Sequence, residues 1–555
     1  MCDFVTFLSE LKSEMVTVHT PILILNFRNI LDCYELKKLL YYWRNRNIVQ
    51  RGEHMSKTFD KLQPYLDKTM ALQTARTLFE WDDETAAPYE AANYTSKVIG
   101  ILSNEYMNSL INDDVRKLLK KLQEDKEQAE LSVKEKAIVK ELGRTYEQLE
   151  SIPPEEYRAF NELASKSCRT WAKAKKDNNF EYFAPVLKEI IDYKKKFAGY
   201  RAKKGKKPYE ALLSDFEESF GIKELDIFFE KVKKELIPLL KEVGAKADTI
   251  DKSYNFLNYD IEKQKEFCKY LSGYLGFDFN RGVIAESAHP FTTQLHNHDV
   301  RITDRYIEDN LESAIFSIIH ETGHAIYEMN IDDSLTLTLV GGGTSMGMHE
   351  SQSRFFENNI GRSREFWVPL YDKLVATYPE QLTNISLDHF IRGINKAAPS
   401  LVRTEADELS YPLHILIRYE IEKMIFNDEV TVDDLPKVWN EKYQEYMGIT
   451  PSDDTSGILQ DTHWSLGEFG YFPSYAIGSA VAAQIYNHML DVMPLKDYLE
   501  DGNLTPIREY LKDTVHKYGA TKNTNQILKD MTGEEFNADY YINYLKEKYE
   551  ALYGL

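Results

Sequence analysis

The chain has 555 residues, room for several average domains or for one large helical enzyme fold, so burying a sizeable core is no difficulty. Its 89 acidic against 68 basic residues give a formal net charge of −21, a field that repels phosphate backbones and anionic lipid, so neither nucleic acid nor a membrane is expected as a partner. The four cysteines (Cys2, Cys33, Cys168, Cys268) show no C-x-x-C spacing, which speaks against a disulfide framework or a thiolate metal site and for a reducing cytoplasm.

Residues 1–54 differ from the rest of the chain. They carry acids at Asp3, Glu10 and Glu14, and their one apolar run, Pro21 to Phe27, is shorter than a signal-peptide core or a membrane span. A soluble, non-exported chain is therefore expected. The stretch Arg51-Gly52-Glu53-His54-Met55 can be encoded as AGG-GGA-GAA-CAT-ATG, which reads as a bacterial ribosome-binding site just ahead of a start codon. The expectation is that translation starts at Met55, that 1–54 is a non-native extension, and that 55–555 forms a single helical domain. The alternative is a genuine helical extension, with Glu35 to Arg44 as its helix.

From Met55 onward the apolar spacing is helical and glycines are few, as in Leu110 to Leu149 and Leu225 to Val243, so the fold class is mainly α. The lysine runs Lys194-Lys195-Lys196 and Lys203 to Lys207 lie beside acidic stretches and read as solvated helix ends and loops. There is no internal repeat and no low-complexity segment. Farther along, Asp309 can cap a helix beginning near Asn310, with Glu312 in the capping-box position and Leu311, Ile315, Ile318 and Ile319 on the buried face. His320, Glu321 and His324 then fall inside that helix as H-E-x-x-H. Residues four apart lie one turn above each other, so both imidazoles can address one zinc ion while Glu321, slightly aside, can polarise water. Gly323 inside this helix costs about 1 kcal/mol relative to alanine and suggests a close backbone approach.

Next, Leu-Thr-Leu-Thr-Leu alternation predicts a strand over Ser334 to Val340, ending at Gly341-Gly342-Gly343, as part of a small sheet beside the site. Glu350 follows His324 by 26 residues (350 − 324) and opens Ser351 to Ile360, a second helix. A catalytic zinc needs three protein ligands, and Glu350 is favoured as the third, with His349 its competitor. No third histidine follows the first motif as H-x-x-G-x-x-H.

These segments resemble the carboxypeptidase Taq family of metallocarboxypeptidases, from about Met55 to the C-terminus. Asp299-Val300-Arg301-Ile302-Thr303 matches that family's D-x-R-x-T, His320 to His324 its H-E-x-x-H, and His349-Glu350-Ser351 the H-E-S stretch that supplies its third ligand. Val402-Arg403-Thr404-Glu405-Ala406-Asp407 matches I-R-x-x-A-D with valine for isoleucine. Gly457 to Trp464 matches G-x-x-Q-D-x-H-W. The chain departs where the family has Gly-Gly after the Met-Pro of its W-D-x-x-T-x-M-P segment, since here Trp81-Asp82 continues to Thr85-Ala86-Ala87-Pro88-Tyr89-Glu90; that segment carries no metal ligand, so the departure bears on the lid or subfamily and not on the chemistry. The resemblance implies a large helical zincin-type fold with a deep active-site groove, a homodimer, and release of C-terminal residues from peptides with broad specificity. It also implies one divalent ion, zinc foremost with cobalt as an alternative, held by His320, His324 and Glu350.

A carboxypeptidase must recognise a free carboxylate, which a planar guanidinium does with two parallel bonds; Arg403 and Arg301 are the candidates. His463 or Tyr411 can donate to the oxyanion, and Glu321 serves as general base toward a zinc-activated water. Asp407 and Asp461 are candidates to orient the two ligand histidines. The competing readings are a zinc oligopeptidase of similar helical fold and a non-catalytic helical metal-binding protein. A zinc aminopeptidase is disfavoured, because G-x-M-E-N is absent.

Overall fold

Local capping divides the chain into helices much as its periodicity suggests. The computed structural model describes residues 56–201 and 207–555. The helix suggested for Glu35 to Arg44, the start at Met55 and all of the second lysine run except Lys207 lie outside the described residues. Leu110 to Leu149 resolves into helices Asp113–Leu122, Asp125–Gln128 and Val133–Leu149. Asn112 caps the first through its side chain, and Ser132 with Glu135 forms a capping box at the third, which satisfies amides the helix itself cannot. Leu225 to Val243 lies within helix Ile222–Lys246. Lys195 and Lys196 pair with Asp428 and Glu156 on the surface.

A small sheet and five of the helices position the site. Helix α1 (Lys57–Thr85) begins the described chain. Strands β1 (Gly282–Glu286), β2 (Thr292–His296) and β3 (Asp299–Asp304) follow, then helices α2 (Leu311–Met329), α3 (Met346–Arg354), α4 (Tyr411–Phe426) and α5 (Pro473–Val492). The sheet order is β1-β3-β2, with β3 parallel to β1 and antiparallel to β2. Val300 and Ile302 are fully buried while Arg301 between them is not, the period-two pattern of a strand with one covered face.

Among the described residues the core has two parts. The larger gathers the apolar faces of α2 to α5 and most of the remaining helices. The smaller belongs to the N-terminal helices, where Phe59, Leu62, Leu66, Val115, Leu119 and Leu142 pack with Ile331, Leu335 and Val340 from the segment after α2. Each such side chain contributes about 1.5–3 kcal/mol when fully buried. Residues Lys57–Leu555 make one compact unit.

Two local expectations are corrected. Ser334 to Val340 is not a strand: it holds the 3₁₀ turn Asp333–Leu335 and further turns closed by Thr338 N–H to Leu335 O and Gly341 N–H to Thr338 O. Leu337 has φ 54°, a left-handed conformation no strand contains, and Leu335 and Val340 are drawn into the N-terminal core. The sheet beside the site lies upstream instead, at 282–304. The cap of α2 is Asn310, whose side chain accepts from Ser313 N–H, one residue later than Asp309.

Helix α3 runs into a π-helical turn, Phe355–Ile360, so the helix expected over Ser351 to Ile360 is present but changes pitch; such turns recur at functional sites. Two glycines let α3 sit deep between its neighbours. A Cβ on Gly323 of α2 would lie 2.7 Å from Ser353 Cα and 2.8 Å from Gln352 O. A Cβ on Gly478 of α5 would lie 2.5 Å from Glu350 Cγ and 2.6 Å from its Cβ. The backbone approach suggested by Gly323 is therefore α3 itself.

Candidate active site

The register of α2 puts His320 and His324 on one face, with ring centroids 4.9 Å apart. Across from them α3 presents Glu350, whose Oε2 lies 3.6 Å from Nε2 of each histidine. One ligand atom from each of the three residues falls within 4.8 Å of the others. Ligands about 2.0–2.1 Å from a tetrahedral zinc stand about 3.3 Å apart, so the spacing and the two-nitrogen, one-oxygen chemistry fit a divalent ion. Glu350 Oε1 accepts from Arg354 Nε at 2.7 Å, which leaves Oε2 as the oxygen turned to the histidines.

The surroundings set the charge of each member of this candidate set. Burial and the neighbouring His349 lower His324 to about 3, so its ring is neutral at ordinary pH. Burial opposes the ionisation of Glu350, but Arg354 and the two imidazoles outweigh it and hold the carboxyl well below its usual range. For His320, burial disfavours the charged form, yet Glu350 and Glu357 together push its pKa upward. Burial raises the pKa of Glu321, whose Oε2 accepts a 2.6 Å bond from Thr292 Oγ1 of β2. The same hydroxyl lies 3.2 Å from the Glu321 carbonyl, so β2 fixes this side chain relative to the helix.

The outer partners of the histidines are not those the sequence suggested. Asp407 accepts from the amides of Ala398, Leu409 and Ser410, and Asp461 binds two arginines; neither touches His320 or His324. Nδ1 of His320 instead meets Glu357 Oε2 at 2.8 Å, from the π turn. Nδ1 of His324 meets Nδ1 of His349 at 2.5 Å, and Nε2 of His349 meets Glu328 Oε1 at 2.6 Å. With both nitrogens so engaged, His349 is not turned toward the ligand cluster. Arg354 and Glu357 lie four and seven residues beyond Glu350, a helical spacing that could have flagged them; nothing local marked Thr292 or Glu328.

Arg403 and Arg301 have different surroundings. Arg301 is bound by both oxygens of Asp299 at 2.8 Å and lies over the Trp81 ring, where α1 meets the sheet. Arg403 is buried, and its Nε and Nη2 share Asp461 Oδ1 while Nη1 reaches Tyr411 Oη at 3.3 Å. Arg418, fully buried, takes Asp461 Oδ2 through Nε at 2.7 Å. Gln460 accepts from Arg403 N–H and from Arg418, so Gly457 to Trp464 wraps both guanidinium groups. Tyr411, the first residue of α4, joins this cluster to the ligands, because Arg354 lies 4.4 Å over its ring. His463 Nε2 meets Tyr475 Oη at 3.2 Å, its Nδ1 has no hydrogen-bond partner among the described residues, and burial lowers its pKa to about 4.

A helical fold carrying H-E-x-x-H and a convergent glutamate on a second helix defines a metallopeptidase. The sequence profile described as the carboxypeptidase Taq (M32) metallopeptidase matches residues 61–549. Carboxypeptidase 1 of Bacillus subtilis (strain 168) is 46% identical over 482 residues, covering 87% of this chain and 96% of its own. Thermostable carboxypeptidase 1 of Pyrococcus furiosus is 34% identical, covering 86% and 96%. The crystal structure of the M32 carboxypeptidase from Deinococcus radiodurans R1 superposes with a TM-score of 0.86 at 30% identity, over 90% of this chain and all of that one. The chain belongs to the carboxypeptidase Taq (M32) family, and is a peptide hydrolase of the metallocarboxypeptidase kind. The helical class and small sheet read from the sequence are those of this family.

Proposed function

We propose that the chain removes C-terminal residues from peptides with broad specificity, using one divalent ion, zinc foremost and cobalt as an alternative, held by His320, His324 and Glu350. The observation that carries the exopeptidase reading is a charge count. Arg403 and Arg418 share one carboxylate, Asp461, so the buried cluster holds one excess positive charge (2 − 1). Glu422, a further buried carboxylate that feels the charge of Arg418, spends its hydrogen bonds on Trp464, Tyr209 and Gly470. A buried, uncompensated guanidinium is costly, and an incoming carboxylate relieves that cost. Arg301 has no such excess, because Asp299 neutralises it. Arg403 is therefore the anchor favoured for the substrate terminus.

An ion held by His320, His324 and Glu350 would acidify a water and polarise the scissile carbonyl. Glu321, held by Thr292, accepts the proton of the attacking water and delivers it to the leaving amine. Burial, which raises its affinity for that proton, suits both halves of the task. Tyr411 accepts from Arg403 and keeps its own hydrogen to donate to the oxyanion, with His463 as the other donor. Among the described residues no helix is long and apolar enough to cross a membrane. Cys168 and Cys268 are free thiols, which supports a cytoplasmic location. The homodimer and the single catalytic domain spanning 55–555 belong to the same reading.

Chelator-reversible digestion of a peptide ladder, read by mass, tests it. Residues should leave singly from the C-terminus, and amidating that terminus should suppress cleavage. Internal cuts indifferent to amidation would replace this reading with an oligopeptidase.

A further inference from the structure

The two ligand histidines are supported differently. His320 donates from Nδ1 directly to a carboxylate, Glu357. Between His324 and its nearest acid, Glu328, a second imidazole is interposed. We propose that His349 and Glu328 form a relay that sets the tautomer and ring orientation of His324, an inference that rests on reading His320, His324 and Glu350 as the metal-holding set.

The argument starts from the outer end. A carboxylate only accepts, so Glu328 Oε1, 2.6 Å from His349 Nε2, requires the hydrogen of that ring to sit on Nε2. In a ring that carries only this hydrogen, Nδ1 of His349 is a bare acceptor. At 2.5 Å it demands a hydrogen on His324 Nδ1, and that leaves His324 Nε2 with a free lone pair facing the ligand cluster. The proton position on a ligand is thus dictated two side chains away. Three carboxylates, Glu321, Glu350 and Glu357, already contact or adjoin the ligand histidines. Interposing a second imidazole keeps the charge of Glu328 one residue farther off while preserving its control of the tautomer.

The surroundings lock the relay in place. Glu328 is 4% exposed, and its Oε1 also accepts from Gly343 N–H at 3.1 Å. A Cβ on Gly343 would lie 2.6 Å from His349 Cδ2 and 2.9 Å from Tyr327 Cε1, so the glycine turn closes directly over the ring. Tyr327, fully buried, faces His349 on one side and His516 on the other, and its hydroxyl accepts from Thr344 N–H. Gly343, conspicuous in the sequence but without a role in the chemistry, is accounted for by this seal. His349, in turn, serves the site without being a ligand.

The test compares Zn²⁺ dissociation constants, by competition with a chromogenic chelator, for the full chain and its His349→Leu and His349→Gln variants. Leucine cannot accept from His324 Nδ1, so affinity should fall about 10–100-fold; the carbonyl oxygen of glutamine can accept, and should restore most of it. Melting without metal should be alike in the two variants. If His349→Leu binds Zn²⁺ like the wild type, or if leucine and glutamine weaken it equally, the relay is overturned. His324→Ala separates this failure from a failure of the ligand assignment: wild-type affinity there would remove the assignment itself. Should a His349 variant not fold, Glu328→Leu against Glu328→Gln makes the same comparison from the outer end: weaker binding in the leucine variant alone supports the relay, and equal binding in the two overturns it.

Discussion

Gly478→Ala isolates the packing that holds Glu350, the proposed third ligand. The added Cβ would stand 2.5 Å from Glu350 Cγ and 2.6 Å from its Cβ, where carbon atoms normally rest about 3.5–4.0 Å apart. Roughly 1 Å of separation must therefore be created between α5 and α3. Metal–ligand distances tolerate about 0.2 Å, so even a fifth of that movement, passed to Glu350 Oε2, is enough to spoil coordination. Global stability suffers less. Overpacking costs about 1–3 kcal/mol, but alanine is about 1 kcal/mol better than glycine inside a helix, so the net loss is at most about 2 kcal/mol. Melting with and without Zn²⁺, together with chelator competition, should show metal affinity falling more than tenfold while the metal-free protein melts only slightly earlier. Gly100→Ala is the control, because a Cβ there meets nothing within 4 Å. If Gly478→Ala binds Zn²⁺ as the wild type does, close packing is not what positions Glu350.

Glu321→Gln should retain stoichiometric Zn²⁺ in metal analysis while kcat falls about 10²-fold or more; undiminished turnover would refute its role as base. Arg403→Ala should lose about a hundredfold in kcat/KM on a free-acid peptide and little on an amidated one. It should still fold, since Arg418 and Asp461 remain a balanced pair, whereas Arg301→Ala should leave the free-acid preference in place. An unchanged free-acid preference in Arg403→Ala would remove the proposed anchor. Burial raises Asp304 to about 8, above an ordinary carboxyl, so its contribution to stability is complete below about pH 4 and is lost as pH rises through 8. That loss is at most about 6 kcal/mol, taking about 1.4 kcal/mol per unit. Urea melts of Asp304→Asn, whose amide cannot ionise, should decline less between pH 5 and pH 9 than those of the wild type; parallel declines would show that Asp304 is not the group responsible.

The sequence by itself determined what depends on neighbours along the chain. Helical periodicity follows from 3.6 residues per turn, and the same spacing makes H-E-x-x-H a statement about geometry, so His320, Glu321 and His324 needed no tertiary information to be grouped. Gly323 announced a close approach because only a contact from elsewhere justifies glycine in a helix interior. Local alternation misled at Ser334 to Val340, because the threonines that mimic a strand close turns while the apolar residues answer the N-terminal core. Tertiary structure alone decided who stands beside whom. It replaced Asp407 and Asp461 with Glu357 and the His349–Glu328 pair around the ligand histidines. It also separated two arginines that motifs could not rank: Asp299, two residues away, neutralises Arg301, whereas Arg403 must share Asp461 with Arg418 from another helix. Charge balance is a sum over every group that folding brings together, and no window along the chain contains it.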